Sequence, residues 1–485
     1  MSALIPQFRA AKRASTPLIA IHTADPAATM TAIRTSFNGT PPAMLHWDCV
    51  CGIRPVNKAG EEVVGGITSP ATLIGPVDAL LSICDVPEGT ITFMANMHRV
   101  INEPGVSQAV WNLRDPYKRN QRTLVMLCPS MELPVELQQD VICLDEPLPT
   151  AAQLTDIVKD MYKSASIAEP EDLSKPVDAI CGLAAFPAEQ VCAISMGKSG
   201  LNLDTLWERK RQAIEQTPGL SVWRGGESFD AIGGCANAKT FMRAILAGNE
   251  PPRAIVFIDE IEKQMAGAGS DTSGVATDMH GALLTWMQDH RANGSIFIGP
   301  PGAAKSVLAK ATGNAGGIPT IAFDLGAMKS SLVGESGARL RNSLKVIQSI
   351  SQGQAYFIAT SNSIDSISPE LRRRFKSGTF FFDLPSEKER SAIWAIYVTK
   401  FSLSRQDLPA DEGWTGSEIE TCCELSWRLK ISLKAASNYI VPVAKSDAQR
   451  IKSLRQQADG RFISASYPGV YQVAKETSTG RRLEL

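Results

Sequence analysis

The sequence has almost no net charge: 49 Lys and Arg stand against 50 Asp and Glu, a formal −1 over 485 residues. A balance this even leaves no electrostatic footprint for nucleic acid or an acidic membrane surface, although a local basic patch stays compatible with it. No run of about 18 apolar residues occurs, which argues against a membrane-spanning helix. Residues 1–13 carry Arg9, Lys12 and Arg13 but lack the apolar stretch of a secretory signal. The 10 cysteines form no CxxC pair and show no zinc spacing. Reduced thiols, mostly in apolar runs, are therefore expected, and with them a cytoplasmic location. The five histidines (His22, His46, His98, His280 and His290) show no metal spacing either. Internal repeats of short period and low-complexity tracts are absent.

What is present is ordinary for a globular chain that can bury sizeable cores, with 44% hydrophobic and 20% charged residues. The length predicts two to four domains. Residues 17–150 alternate apolar runs, at 18–22, 91–95, 124–128 and 141–144, with helical stretches, a pattern that favours a parallel sheet covered on both faces. Residues 151–216 read as a helical connector without a strand-like run. A loop around 218–226 opens a second α/β region over 217–385. Residues 386–485 read as helical again, with Pro442 as a break. Trp286, Trp394, Trp414 and Trp427 fit helix packing.

The chemistry lies in the second α/β region. Gly299-Pro300-Pro301-Gly302-Ala303-Ala304-Lys305-Ser306 follows a strand-like run at 295–298 and precedes a helix-like one from Val307. That is the context of a phosphate loop: backbone N–H groups and a helix N-terminus cradle phosphates, Lys305 neutralises the outer ones, and Ser306 reaches Mg²⁺. The pattern GxxxxGK[ST] has Gly where this chain has Ala304, whose methyl enters a crowded turn. A Gly/Pro turn ahead of a helix also arises without any ligand. Ala254-Ile255-Val256-Phe257-Ile258-Asp259-Glu260 is an apolar run ending in two acids, as in a Walker B strand, where Asp259 would serve Mg²⁺ and Glu260 the attacking water. The plain alternative is a core strand followed by a solvated turn. Ala355-Tyr356-Phe357-Ile358-Ala359-Thr360-Ser361-Asn362 is a third such strand, and Asn362 there is either a water-positioning group or a turn former. Pro369-Glu370-Leu371-Arg372-Arg373-Arg374-Phe375 is either a solvated helix end or the source of an arginine finger.

Together these four elements resemble AAA+ ATPases. Three further segments extend the resemblance to roughly residues 227–443. Phe229-Asp230-Ala231-Ile232-Gly233-Gly234 is similar to the adenine-contacting segment. Ser331-Leu332-Val333-Gly334-Glu335-Ser336 is similar to the first pore loop, although Leu332 stands where threading relatives often carry an aromatic. Trp414-Thr415-Gly416-Ser417-Glu418-Ile419-Glu420 is similar to the sensor-2 region of the helical lid. The resemblance implies a P-loop AAA+ core with ATP and Mg²⁺ as cofactors. ATP contacts are implied at Ile232, Gly233, residues 299–307, Gly416 and Ser417, and Mg²⁺ contacts at Ser306 and Asp259. Glu260, Asn362, Arg374 and Arg373 are implied for catalysis.

The order of motifs departs from the family, in which Walker A precedes Walker B. Here Asp259 and Glu260 come before Lys305. The simplest account is a rearranged strand order, with one strand–helix unit, about 255–290, relocated ahead of the phosphate-loop strand. Ligands bind at the carboxyl ends of parallel strands, so place in the sheet matters more than chain order.

Residues 1–150 resemble the N-terminal half of the hypothetical chloroplast open-reading-frame ATPases of algae and cyanobacteria, through Thr16-Pro17-Leu18-Ile19-Ala20-Ile21, Trp47-Asp48, Phe93-Met94-Ala95-Asn96-Met97-His98-Arg99 and Leu148-Pro149-Thr150. That half looks like a degenerate ATPase domain. Its first turn, His22-Thr23-Ala24-Asp25-Pro26, has neither Gly nor Lys, and its strand at 91–95 ends in Asn96-Met97 rather than in acids. Ile440-Val441-Pro442-Val443 extends the same likeness to the tail. The expectation is an α/β protein: a degenerate N-domain, a helical connector, a rearranged AAA+ core and a helical lid. An oligomer, hexameric by the resemblance, would spend ATP on remodelling a protein partner. The other reading is a nucleotide-responsive scaffold that hydrolyses little, towards which Ala304 points. A motor on DNA lacks support from charge.

Overall fold

A computed structural model describes residues 4–37, 39, 41–129, 131, 133–223, 225–264, 275–328, 335–365, 367–404 and 408–473. It divides into two compact units, Met1–Lys210 and Arg211–Leu485.

The first unit is built on six strands: β1 (Leu18–His22), β2 (Met44–Asp48), β3 (Gly52–Pro55), β4 (Ile91–Ala95), β5 (Thr123–Cys128) and β6 (Ile142–Asp145). Their order across the sheet is β3-β2-β4-β5-β1-β6, parallel except for the β2–β3 hairpin. Side chains alternate between two cores, as strand geometry requires. Leu18, Ala20, Leu124 and Met126 enter one core, whereas Ile19, Ile21, Val125 and Leu127 enter the other. Both faces are covered, which explains the continuous apolar runs. The connector departs from its all-helical reading by a two-residue hairpin, β7 (Met196–Gly197) with β8 (Gly200–Leu201).

The second unit holds seven strands: β9 (Leu220–Val222), β10 (Ala254–Ile258), β11 (Asn293–Ile298), β12 (Thr320–Phe323), β13 (Ala355–Ser361), β14 (Thr379–Phe381) and β15 (Ile463–Ser464), in the spatial order β15-β14-β11-β13-β10-β12-β9. All pair in parallel except β9, which is antiparallel to β12. Two pieces differ from the sequence reading. The loop around 218–226 contains the edge strand β9, and the helical tail contains β15 at the opposite edge. The sheet again has two cores, with Val256, Ile298 and Phe357 on one side and Phe257, Phe297 and Ile358 on the other.

A helical layer follows β14. Helix Glu387–Lys400 starts at a capping box between Ser386 and Glu389, and helix Gly416–Leu429 at one between Thr415 and Glu418. The two pack through Ile393, Trp394, Trp414, Ile419 and Cys422. Trp427 is instead 57% exposed. Among the described residues, no helix is long and apolar enough to cross a membrane.

Candidate functional site

The parallel register brings three strand ends together. β13 lies between β10 and β11, with Ile258 opposite Ala359 and Ile298 opposite Ser361. The residues just beyond these ends, Asp259, Asn362 and the loop from Gly299, therefore meet at one edge, where helix Lys305–Gly316 starts. Gly302 sits in this loop at φ +79°, and a Cβ there would lie 2.8 Å from Thr415 Oγ1. Only glycine suits both that backbone and that close approach.

Ala304, the N-cap of the helix, has φ 62° and ψ 14° with no side-chain capping bond. It is left-handed, a conformation that costs an L-residue other than glycine about 1–2 kcal/mol. The position that matches a glycine in the phosphate-loop pattern thus demands a glycine backbone here as well. The expected crowding by its methyl is joined by a strained φ.

Lys305 is buried, and its Nζ donates to Gly299 O (2.8 Å), Pro300 O (2.7 Å) and Asn362 Oδ1 (2.9 Å). Three acceptors use all three ammonium donors. Burial lowers its pKa to about 8, against the opposing pull of Glu262, Asp259 and Glu260. Ser306 Oγ donates to Asp259 Oδ1 at 2.8 Å, and Thr360 Oγ1 donates to the same oxygen at 2.6 Å. Thr360 Oγ1 also accepts from Glu260 N at 3.0 Å. Glu260 is itself left-handed, φ 44°, a strained conformation of the kind that gathers at functional sites. Its carboxylate accepts from Asn362 Nδ2 (3.0 Å) and pairs with Lys263 (2.6 Å). Asn362 N donates to Glu262 Oε1 at 2.9 Å.

A cavity of about 280 Å³ opens over this edge. Asp259, Glu260, Pro301, Gly302, Ala303, Ala304, Lys305, Ser306, Val307, Thr360 and Asn362 form its floor. Ile232 and Gly233 form one wall, and Ile393, Tyr397, Gly416, Ser417 and Glu420 the other. Gly299 and Pro300 contribute the carbonyls that hold Lys305. Arg373 and Arg374 do not line the cavity. Arg373 is exposed, and Arg374 Nη2 donates to Gln288 Oε1 at 2.6 Å. Residues 329–334, with Leu332 and Val333 of the pore-like segment, lie outside the described residues.

Sequence reasoning did not single out Thr360, Glu262, Ile393 or Tyr397. Thr360 stood inside the quoted third strand, but its tie to Asp259 depends on β13 lying beside β10. Ile393 and Tyr397 lie on helix Glu387–Lys400, outside every segment that carried the resemblance.

The arrangement suits a polyphosphate. A glycine-bearing loop leads into a helix N-terminus, with a buried ammonium beneath. Two hard oxygen donors, Ser306 Oγ and Asp259 Oδ1, converge beside it, the chemistry that Mg²⁺ prefers. In the first unit the turn after β1 carries an acid and no phosphate loop. Asp25 follows β1 and its carboxylate accepts from Ala28 N at 3.0 Å, capping helix Pro26–Thr35.

The cleft resembles the phosphate-loop nucleotide site of AAA ATPase domains, and a helical layer follows its sheet. Comparison with known proteins agrees. Residues 295–353 match the ATPase family associated with various cellular activities (AAA), and residues 5–146 match the SpoVK-like AAA ATPase N-terminal domain. The AAA match begins on β11, so β10 with Asp259 and Glu260 falls outside it. The chain is similar over most of its length to AAA domain-containing proteins ycf46. It is 23% identical to that of Guillardia theta over 469 residues, covering 86% of this chain and 85% of the relative. It is also 23% identical to that of Gracilaria tenuistipitata var. liui over 445 residues, covering 78% and 84%.

Proposed function

We propose that the second unit binds ATP in this cleft and hydrolyses it with Mg²⁺, in an oligomeric AAA+ protein that remodels a protein partner. The observation that carries this reading is the Ser306–Asp259 hydrogen bond of 2.8 Å, which joins the phosphate-loop hydroxyl to the acid ending β10. Mg²⁺, held by Ser306 and Asp259, would neutralise charge on the phosphates. Lys305 exchanges its carbonyl partners for phosphate oxygens, helped by the backbone N–H groups of residues 302–307. Glu260 accepts the proton of the attacking water, and Asn362 orients it. Ile232, Gly233, Gly416 and Ser417 hold the base side. Arg374, with Arg373 beside it, acts on the site of a neighbouring subunit, most simply in a hexamer.

The strand order supports relocation of the unit at about 255–290. β10 precedes β11 in the chain, yet the sheet sets β13 between them and leaves all three parallel. The division into N-domain (1–150), connector (151–216), core (217–385) and lid with tail (386–485) belongs to the same proposal, as does a cytoplasmic location. The N-domain, whose helix Pro26–Thr35 is capped by Asp25, takes no nucleotide.

One observation favours the second reading, a nucleotide-responsive scaffold with little turnover: the strained Ala304 in the phosphate loop. Steady-state hydrolysis and nucleotide binding by the whole chain decide. Lys305→Ala abolishes binding, whereas Glu260→Gln keeps binding and loses hydrolysis. Unchanged hydrolysis in Glu260→Gln overturns the assignment of β10. Tight binding by the wild type with no turnover leaves the scaffold.

A further inference from the structure

The base-side wall is anchored from the far end of the chain. Ile232 and Gly233 line the cleft, and helix Ala236–Leu246 starts three residues after Gly233. The N-cap of that helix, Cys235, is left-handed at φ 52° and makes no side-chain capping bond. A helix start leaves backbone N–H groups in need of partners. One comes from the tail: Ala238 N donates to Ala465 O at 3.0 Å, and beside it Asn237 Nδ2 donates to Ser464 O at 2.7 Å. The tail segment is itself fixed to the sheet, by the β14–β15 pairing and by Ala465 N donating to Phe381 O at 3.0 Å.

A second tie runs through Glu389 in the first turn of the lid helix Glu387–Lys400. Its Oε2 accepts from Ser386 N at 2.9 Å and closes the capping box. Its Oε1 accepts from Cys235 N at 3.2 Å and from Ser466 Oγ at 2.7 Å. One carboxylate therefore joins the tail, the lid helix and the wall. Burial opposes its charge, but the hydrogen bonds from Ser386, Ser466 and Cys235 outweigh burial and hold its pKa below the ordinary glutamate value. The wall runs flush against the same helix: a Cβ on Gly233 would lie 2.3 Å from Ile393 Cγ1. A small shift of Glu389 or of the tail therefore moves the wall.

We propose that Glu389 and the strap of residues 463–466 are the positioning device of the Ile232–Gly233 wall, and so set the affinity for the base of the nucleotide while leaving the phosphate side alone. This rests on the nucleotide reading of the cleft. Glu389 and Ser466 are positioning residues, since neither lines the cavity.

The test uses the full chain with Mg²⁺ and a fluorescent ADP analogue, displaced either by ADP or by inorganic tripolyphosphate, which has no base. Ser466→Ala leaves the capping box intact and removes only the strap's bond. It weakens ADP about threefold, and Glu389→Ala weakens it about tenfold, a tenfold change being worth about 1.4 kcal/mol. Glu389→Gln keeps one acceptor oxygen in place of two and recovers only part of the loss. Tripolyphosphate displaces the probe equally well from all of them. Equal losses for ADP and tripolyphosphate would show general loosening and overturn the proposal, as would unchanged ADP affinity in both alanine variants. Wild-type protein that binds tripolyphosphate but gains nothing from the base overturns the wall while sparing the phosphate site. Wild-type protein that binds neither overturns the nucleotide reading and the strap with it.

Discussion

Ser306 and Asp259 are hydrogen-bonded at 2.8 Å although Asp259 comes 47 residues earlier in the chain and follows a strand, β10, that does not pair with β11. The contact exists because β13 fills the gap. Thr360, on β13, donates to the same Asp259 oxygen and accepts from the Glu260 amide. One hydroxyl thus fixes both acids.

Thr360→Val should consequently lower hydrolysis more than binding. The substitution keeps shape but leaves the Glu260 amide without its acceptor, a cost of about 1–3 kcal/mol for a buried group. A turnover drop of about tenfold is expected, with nucleotide affinity nearly unchanged. Unaltered turnover would mean that the acids are held by something else.

Ala304→Gly removes the strain at φ 62°. Stability should rise by about 1 kcal/mol, the left-handed penalty less the extra freedom glycine gives the unfolded chain. Nucleotide should bind more tightly, because the loop no longer resists its bound shape. Thermal unfolding and titration with ADP check both. A drop in stability would count against a left-handed residue at this position.

The phosphate loop was legible because it is local: glycine, lysine and serine lie in one contiguous stretch, and backbone geometry demands them there. The long sheet strands were legible too, since burial on both faces writes continuous apolar runs such as Ile255–Ile258. The short edge strands β9 and β15, of three and two residues, carry no readable period. Their pairing is decided by partners far along the chain. The same holds for Thr360, whose importance depends on which strand lies beside β13, and for Ile393 and Tyr397, which stand in none of the motifs read from the sequence. Glu389 closes a capping box with Ser386, and nothing in its sequence neighbourhood points to Cys235 or Ser466.

Nucleotide stoichiometry should be one per chain. In the first unit the helix N-terminus after β1 is already occupied by the Asp25 carboxylate, bonded to Ala28 N at 3.0 Å, and no lysine stands there to meet phosphate. Equilibrium dialysis of the whole protein with ATP under non-hydrolysing conditions gives the number. Two sites per chain, or one site that survives Lys305→Ala, would assign binding to the first unit.

Arg374 should act across a subunit boundary. It ends helix Pro369–Arg374, lies outside the cavity of its own chain, and is steadied by Gln288 at 2.6 Å while its Nε is buried without a hydrogen-bond partner. Arg373 beside it is exposed. An arginine brought to a neighbour's phosphates stabilises charge in the transition state and is worth about 10³-fold or more in rate. Activity then depends on assembly, and mixing separates this from a helix end that merely solvates charge. A chain with Arg374→Ala keeps an intact Lys305, and a chain with Lys305→Ala keeps an intact Arg374. Each alone is expected to be inactive, and together they recover part of the wild-type rate. Gln288→Ala, which frees Arg374 without removing it, should lower turnover only a few-fold. No recovery on mixing, together with a monomeric mass in the presence of ATP, would leave Arg374 as a surface cation and remove the reason to expect an oligomeric enzyme.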